Sequence, residues 1–295
     1  LLNRDLPEEE RIPLIEKFRK MYETMDFYVL YNRFLKKEGY QTLPRRPLEK
    51  RKLRYEDVYP VLYLKYRLSR QAERSNIKHL VIDEMQDYSR LQYLIIRRMF
   101  SCKMSILGDR AQTMADQQQD VLQFLPGIFG KDLRRIEMRK SYRNTVEIAS
   151  YAANLIGVTD LELFERHGMP VLERDVTDLE AALREAVDTL FPDEKTYETA
   201  AVIVPDEKTA ERAYLILREI LAEKDFDCEK RLSWLNRDSS SFKKGLTVTT
   251  FYLAKGLEFD QVFSIFPKDE KREMMMQAQY IAATRALHEL RVYHI

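Results

Sequence analysis

From residue 79 onward the chain repeats one pattern: a short, mostly apolar run, a polar turn, then a stretch of helical period. The runs at 79–82, 104–107, 200–204, 246–250 and 261–266 are too short for helices and read as strands, and 133–138 is read as another. Between them, Ser89 is placed to cap a helix carrying Leu91, Leu94, Ile95 and Met99 on one face. Asn144, with Glu147 three residues on, resembles a capping box for a helix carrying Ile148, Ala149, Ala152 and Ile156. Further helices are expected over 207–223 and 274–287, and 236–244 is a polar loop. Strands alternating with helices force crossover connections, so the expected class is α/β, with parallel sheets covered on both faces.

Residues before 79 have a different texture. Leu14, Ile15, Phe18, Met21 and Tyr22 recur at helical spacing within 7–38, and 55–68 is a second amphipathic region. Between them, 44–54 holds six cations: Arg45, Arg46, Lys50, Arg51, Lys52 and Arg54. A solvated lead-in to the next helix is favoured there over a nucleic-acid patch. A length of 295 residues exceeds the usual single core. Two domains are therefore expected, 1–130 and 131–295.

Composition removes several classes of function. With 49 Lys plus Arg against 48 Asp plus Glu, the net charge of +1 supplies no bulk attraction to nucleic acid or membrane. Any such contact must come from a local patch. Cys102 and Cys228 stand far apart, and four scattered histidines make no zinc pattern. No apolar stretch could span a bilayer and no secretory signal opens the chain, so a reducing cytoplasm is expected. The first residue is Leu1, which points to a piece of a longer protein.

Chemistry concentrates where strands end. Asp83-Glu84-Met85-Gln86-Asp87 follows an apolar run, and open parallel sheets bind ligands at the carboxyl ends of their strands. One acid there can hold Mg²⁺ while its neighbour positions or deprotonates a water; a strand exit with merely solvated acids fits equally. Gly108-Asp109-Arg110-Ala111-Gln112 follows the next run, with Gly108 read as a tight turn and Gln112 as a hydrogen-bonding reporter on a terminal phosphate. In Tyr142-Arg143-Asn144, Arg143 can stabilise phosphoryl charge and Tyr142 can stack on a base. Taken alone, a surface Arg beside a core Tyr is the favoured reading. Lys255-Gly256-Leu257-Glu258-Phe259-Asp260 follows Thr249 and Thr250; Gly256 permits close backbone approach, and Glu258 can accept a ribose hydroxyl. Arg285, in Thr284-Arg285-Ala286, is expected on an apolar helix, where it needs a phosphate or a structural carboxylate as partner.

Taken in order, these runs resemble motifs II to VI of the UvrD/Rep-type superfamily 1 helicases, over residues 79–292. The resemblance implies two RecA-like domains with ATP in the cleft between them. It makes Asp83 the Mg²⁺ ligand and Glu84 the catalytic base. Gln112, Arg143 and Arg285 would address the γ-phosphate, Tyr142 would lie against adenine, and Glu258 with Gly256 would border the ribose. Thr250 and Tyr252 would face nucleic acid. Asp83, Glu84 and Gln112 would belong to the first domain, and the others to the second. Tyr55-Glu56-Asp57, Leu62-Tyr63-Leu64-Lys65, Asp87-Tyr88-Ser89 and Ala286-Leu287-His288-Glu289-Leu290 are similar to the HelD-type branch, which acts on RNA polymerase. DNA and RNA polymerase are the implied partners.

The chain departs from that pattern in three places. No Gly-x-x-x-x-Gly-Lys-Ser/Thr loop occurs; Gly130-Lys131 is followed by Asp132. Without that cradle of amides and lysine, residues 1–295 alone are expected not to hydrolyse ATP. Met-Ala-Asp-Gln-Gln-Gln at 114–119 replaces an aromatic segment that stacks on single strands, and Tyr252 stands where His is usual. The leading expectation is therefore an ATP-driven motor that remodels nucleic-acid or RNA polymerase complexes. The alternative is a non-catalytic interaction module that retains the fold.

Overall fold

Helix caps and buried aromatics organise the first part of the chain. The computed structural model describes residues 7–20, 24–68, 76–109, 112, 121–130, 133–159, 161–191, 197–224, 226–239, 244–268 and 273–295. Two units emerge: Leu1–Gly108 with Asp120–Leu133, and Asp109–Gln119 with Arg134–Ile295.

In the first unit, α1 (Glu8–Lys20) precedes α2 (Phe27–Lys37), whose cap Asp26 accepts from the Tyr28 and Val29 amides. α2 buries Tyr28, Tyr31 and Leu35 with Leu43, against Val61 and Leu64 of α3 (Tyr55–Leu68). The Tyr31 hydroxyl donates to Asp57 Oδ1 at 2.8 Å, and Arg54 Nε donates to Asp57 Oδ2 at 2.6 Å. Burial pushes the Asp57 carboxyl up, but those two bonds outweigh it and hold the group below its ordinary value. Arg51 pairs with Asp26 at 2.7 Å and lies over the Tyr28 ring. Two cations of the 44–54 run thus bind acids at the starts of α2 and α3, while Arg45, Arg46, Lys50 and Lys52 are exposed.

The rest of this unit is α/β. β1 (His79–Ile82) pairs in parallel with β2 (Lys103–Ile106). Between them α4 (Arg90–Met99) opens with the expected Ser89 cap, here a full capping box with Gln92. Ile82, Tyr93, Val121 and Leu125 form the core under α5 (Val121–Phe129). Of β1 only Ile82 is buried.

The second unit carries a six-stranded, wholly parallel sheet in the order β5-β10-β9-β6-β8-β7. Its elements are β3 (Lys140–Ser141), α6 (Val146–Leu155), β4 (Glu162–Leu163), β5 (Leu172–Asp175), α7 (Leu179–Asp188), β6 (Thr199–Val204) and α8 (Glu207–Ala222). There follow α9 (Cys228–Arg231), β7 (Leu232–Trp234), β8 (Gly245–Thr250), β9 (Phe259–Phe266), α10 (Glu273–Ala283) and β10 (Ala286–His294). Central strand β6 shows why its run is apolar throughout. Ala200, Val202 and Val204 pack with α7 and α8, while Ala201 and Ile203 pack with α6 and α10. Alternate side chains serve opposite faces, and helices cover both. The α/β class with parallel sheets is therefore observed.

Three local expectations are corrected. Residues 133–138 form no strand: Ile136 and Met138 are 84% and 85% exposed, and only Lys140–Ser141 pairs, with β4. The closing helix ends at Ala283, and Leu287 lies in β10, so Arg285 stands at a helix-to-strand junction and not on a helix. Thr145, not Asn144, caps α6, accepting from the Ile148 amide. Among the described residues, no helix is long and apolar enough to cross a membrane.

Candidate functional site

The first unit presents an acidic turn at the carboxyl end of β1. Leu107 N donates to Ile82 O and Met85 N donates to Leu107 O, both at 2.8 Å, so the end of β2 grips the turn. The Tyr93 hydroxyl donates to Met85 O at 3.0 Å. Glu84 sits at φ +54° and ψ +48°, a left-handed conformation that costs a non-glycine residue about 1–3 kcal/mol. Its Oε2 accepts from Gln86 Nε2 at 2.6 Å, and Asp83 Oδ1 accepts from the Glu84 amide at 2.8 Å. Gly108 serves this turn by close approach and not by an unusual φ: a methyl there would lie 2.6 Å from Met85 N.

Asp83 is exposed beside this turn. Among the described residues no group of three or more His, Cys, Asp or Glu could hold a metal. Any Mg²⁺ held here would rest on the Asp83 carboxylate, with waters and substrate phosphates as its other ligands.

In the second unit, Arg285 is 2% exposed and hydrogen-bonded at each nitrogen. Its Nε donates to Ile281 O at 3.2 Å and Nη1 to Leu257 O at 3.3 Å. Nη2 donates to Thr284 Oγ1 at 3.0 Å and to Gln112 Oε1 at 3.3 Å. Gln112 Nε2 in turn donates to Asp109 Oδ2 at 3.0 Å, which also accepts from the Tyr280 hydroxyl at 2.9 Å. Lys255 Nζ reaches Gln112 O at 3.5 Å. Burial first, and the Asp109 charge second, raise the Tyr280 hydroxyl well above its ordinary value. The Gly-Asp-x-x-Gln, Lys-Gly-Leu-Glu and Thr-Arg-Ala runs therefore share one hydrogen-bonded cluster. Gln112, assigned to the first domain from sequence, groups here with the second unit.

A more exposed group adjoins this cluster, with Glu258 next to Leu257 in sequence and the Arg143 charge acting on Tyr280. Arg143 Nε pairs with Glu258 Oε1 at 2.6 Å, both side chains half-exposed. Tyr142 is 61% exposed, with the Phe164 ring 5.7 Å away and Lys140 Nζ 5.5 Å from its own ring. Gly256 has φ +82° with nothing within 4 Å of an added Cβ, so conformation and not crowding calls for glycine. Thr250 is buried, and its Oγ1 has no hydrogen-bond partner among the described residues. Tyr252 is half-buried, edge-on to Phe251. Asp83 and Glu84 stand in the first unit; Gln112, Tyr142, Arg143, Thr250, Tyr252, Gly256, Glu258 and Arg285 stand in the second.

Several residues quoted within these runs have supporting roles that the sequence did not show. Asp260 Oδ2 accepts from the Glu198 amide, the Thr199 amide and the Thr199 hydroxyl, each at 2.9 Å, and so ties the start of β9 to the start of β6. Asn144 Nδ2 donates to Ala286 O at 2.6 Å and Thr284 O at 3.3 Å, flanking Arg285. Asp109 and Tyr280 join the Arg285 cluster as described; the acid's place directly after Gly108 was the only hint of this.

Glu147 also departs from its expected capping role. Its Oε1 meets His167 Nδ1 at 2.9 Å, and its Oε2 accepts from the Gly168 amide at 2.9 Å. These bonds, His167 first, pull the carboxyl from 4.5 to about 2. A depressed carboxyl stabilises the fold fully above its unfolded value and loses that contribution as pH falls through its folded value. Melting temperature is therefore expected to drop between pH 4.5 and about 2, less steeply for Glu147→Gln. Equal slopes in both proteins would remove Glu147 from this role.

Comparison with known proteins bears on this arrangement. Residues 3–119 match the model of the UvrD/REP helicase N-terminal domain. That span contains both the acidic turn and the Gly-Asp-x-x-Gln run. No curated protein matches the chain. Among solved structures, the C-terminal domain of a possible DNA helicase from Lactobacillus plantarum WCFS1 is similar at 24% identity and TM-score 0.41. That likeness covers 52% of this chain and 88% of that one. The PRRSV helicase is similar at 17% identity and TM-score 0.41, over 74% of this chain and 35% of that one. The Arterivirus nonstructural protein 10 helicase, solved in complex with DNA, is similar at 15% identity and TM-score 0.39, over 74% and 39%. The chain thus spans little more than a third of either viral helicase.

Proposed function

We propose that this chain is part of an ATP-driven motor of the UvrD/Rep helicase type, and that the motor remodels DNA or RNA polymerase complexes. One observation supports the reading most: Arg285 Nη2 meets Gln112 Oε1 at 3.3 Å across 173 residues of sequence. Both groups are buried and bonded within the protein here, so a γ-phosphate would take Arg285 Nη2 in exchange for the Gln112 oxygen; its charge, spread over several oxygens, suits a guanidinium. Asp83 is assigned to Mg²⁺, which would neutralise phosphate charge when bound, and Glu84 to the attacking water. Tyr142, exposed beside Lys140 and Phe164, is assigned to adenine. Glu258 is assigned to ribose and Arg143 to phosphate. Their half-exposed ion pair is worth less than about 1 kcal/mol, so a nucleotide exchanges it cheaply.

Hydrolysis of this kind needs a phosphate-binding loop, and residues 1–295 contain none. Purified residues 1–295 are therefore expected to show no ATP turnover above background. A polypeptide carrying this chain together with such a loop is expected to turn ATP over. Comparing its rate with single-stranded DNA and with RNA polymerase distinguishes the two partners, and greater stimulation by polymerase is expected. Turnover by residues 1–295 alone contradicts the loop argument. A loop-bearing polypeptide without turnover, under either partner, leaves the non-catalytic interaction module in its place.

A further inference from the structure

The segment between β4 and β5 contains an arginine to which no motif assigns a role. Arg166 Nη2 donates to Leu287 O at 2.6 Å and also to Arg143 O. The two carbonyls lie 121 and 23 residues away in sequence. One belongs to Arg143 itself, and the other lies two residues past Arg285.

The segment carrying Arg166 is fastened at several points. Val146 N, in the first turn of α6, donates to Arg166 O at 2.9 Å. Glu147 holds His167 and the Gly168 amide. A methyl at Gly168 would fall 2.6 Å from Thr145 Cγ2 and 3.2 Å from His288 O, so the segment lies flush against both neighbours. Arg166 Nε is buried with no hydrogen-bond partner among the described residues. Leaving a buried donor unmet is costly, and the cost is accepted here while the same guanidinium spends its Nη2 on two backbone carbonyls.

We propose that Arg166 is a positioning residue for ATP hydrolysis, setting the spacing of the Arg143 backbone from the 285–287 backbone so that both arginines address one phosphoryl group. The proposal rests on the assignment of Arg143 and Arg285 to the γ-phosphate. Lysine cannot substitute: its ammonium is a compact point donor on a flexible stem, whereas the planar guanidinium fixes the direction of its donors. Asn144, bonded to the 284 and 286 carbonyls, holds the same turn. Arg166 alone of the two also reaches a carbonyl of the Tyr-Arg run.

The test is steady-state ATPase of the loop-bearing polypeptide with Arg166→Lys, Arg166→Ala and Arg285→Ala. Arg166→Lys is expected to lower kcat about 10-fold or more, with KM for ATP within about 2-fold, because misplaced groups lose transition-state contacts first. In an Arg143→Ala/Arg285→Ala background, the same Arg166→Lys change is expected to alter kcat by less than about 2-fold, since nothing remains to position. A general structural role would persist in that background. If Arg166→Ala fails to fold, Arg166→Lys alone decides. Parental turnover by Arg285→Ala overturns the γ-phosphate assignment. Slow Arg285→Ala with parental kcat in Arg166→Lys overturns this proposal only, as does an undiminished Arg166→Lys effect in the double background.

Discussion

Replacing Glu84 by glutamine is expected to cut ATP turnover by the loop-bearing polypeptide about 10²–10⁴-fold, the usual contribution of a positioned general base. The substitution isolates the chemistry. Glutamine keeps an oxygen that can accept from Gln86 Nε2, as Glu84 Oε2 does at 2.6 Å. It leaves the Asp83 Oδ1 bond to the residue-84 amide and the grip of β2 on Met85 untouched. It brings no new backbone preference to a residue already held at φ +54°. Stability is therefore expected to stay within about 0.5 kcal/mol of the parent, as for most changes that leave packing and bonds in place. ATP affinity should move less than about 3-fold, because the lost group acts in the transition state. Equilibrium nucleotide binding and single-turnover hydrolysis measured together check this. A parental rate removes Glu84 from catalysis, and a parallel loss of affinity reassigns it to binding.

The central sheet was legible at β6, where burial on both faces leaves an almost unbroken apolar run. β8 and β9 are buried too but interleave Thr247, Thr249, Thr250, Gln261 and Ser264 with their apolar residues, and were legible by their shortness between polar turns. β10 was not, since the apolar period of α10 runs on through Ala286 and Leu287 and conceals the junction. What breaks the helix there is tertiary: Arg285 reaches Leu257 O and Gln112 Oε1, which no local window contains. The α6 cap was misread for the same kind of reason. Asn144 and Glu147 have the spacing of a capping box, but the Asn144 amide is committed to carbonyls 140 and 142 residues away, and the cap falls to Thr145. Leu133, Ile136 and Met138 imitate strand composition, and only their exposure shows otherwise. The candidate residues were picked out because acids, amides and guanidinium groups beside strand ends stand out in a sequence, and the structure brings Gln112 to Arg285 and Arg143 to Glu258. Arg166 was not, because holding two carbonyls demands only a donor of suitable reach, a requirement that leaves no pattern in neighbouring residues.

That distinction gives the second large effect, at Gly108. A methyl group at this position would lie 2.4 Å from Gln86 Oε1, 2.5 Å from Met85 Cγ and 2.6 Å from Met85 N. The two side chains can turn aside, but the amide cannot, because it is bonded to Leu107 O at 2.8 Å. Gly108→Ala must therefore separate the end of β2 from the acidic turn. Overpacking costs about 1–3 kcal/mol and the weakened hydrogen bond about 1 kcal/mol more. The melting temperature of this unit should fall on the order of 5–10 °C. Because Glu84 moves with Met85, turnover should fall about 10²-fold even at temperatures where the protein stays folded, as expected for a shift of about 1 Å in a catalytic group. Gly39→Ala, in the same unit, is the control. It meets no neighbour within 4 Å and costs only what its φ of +77° demands, about 1–2 kcal/mol. Thermal melts and turnover at 20 °C or so, compared across the parent and both variants, decide the matter. A Gly108→Ala protein that melts and hydrolyses like the parent would mean that β2 does not hold the acidic turn, and the catalytic assignment of Glu84 would lose its structural basis.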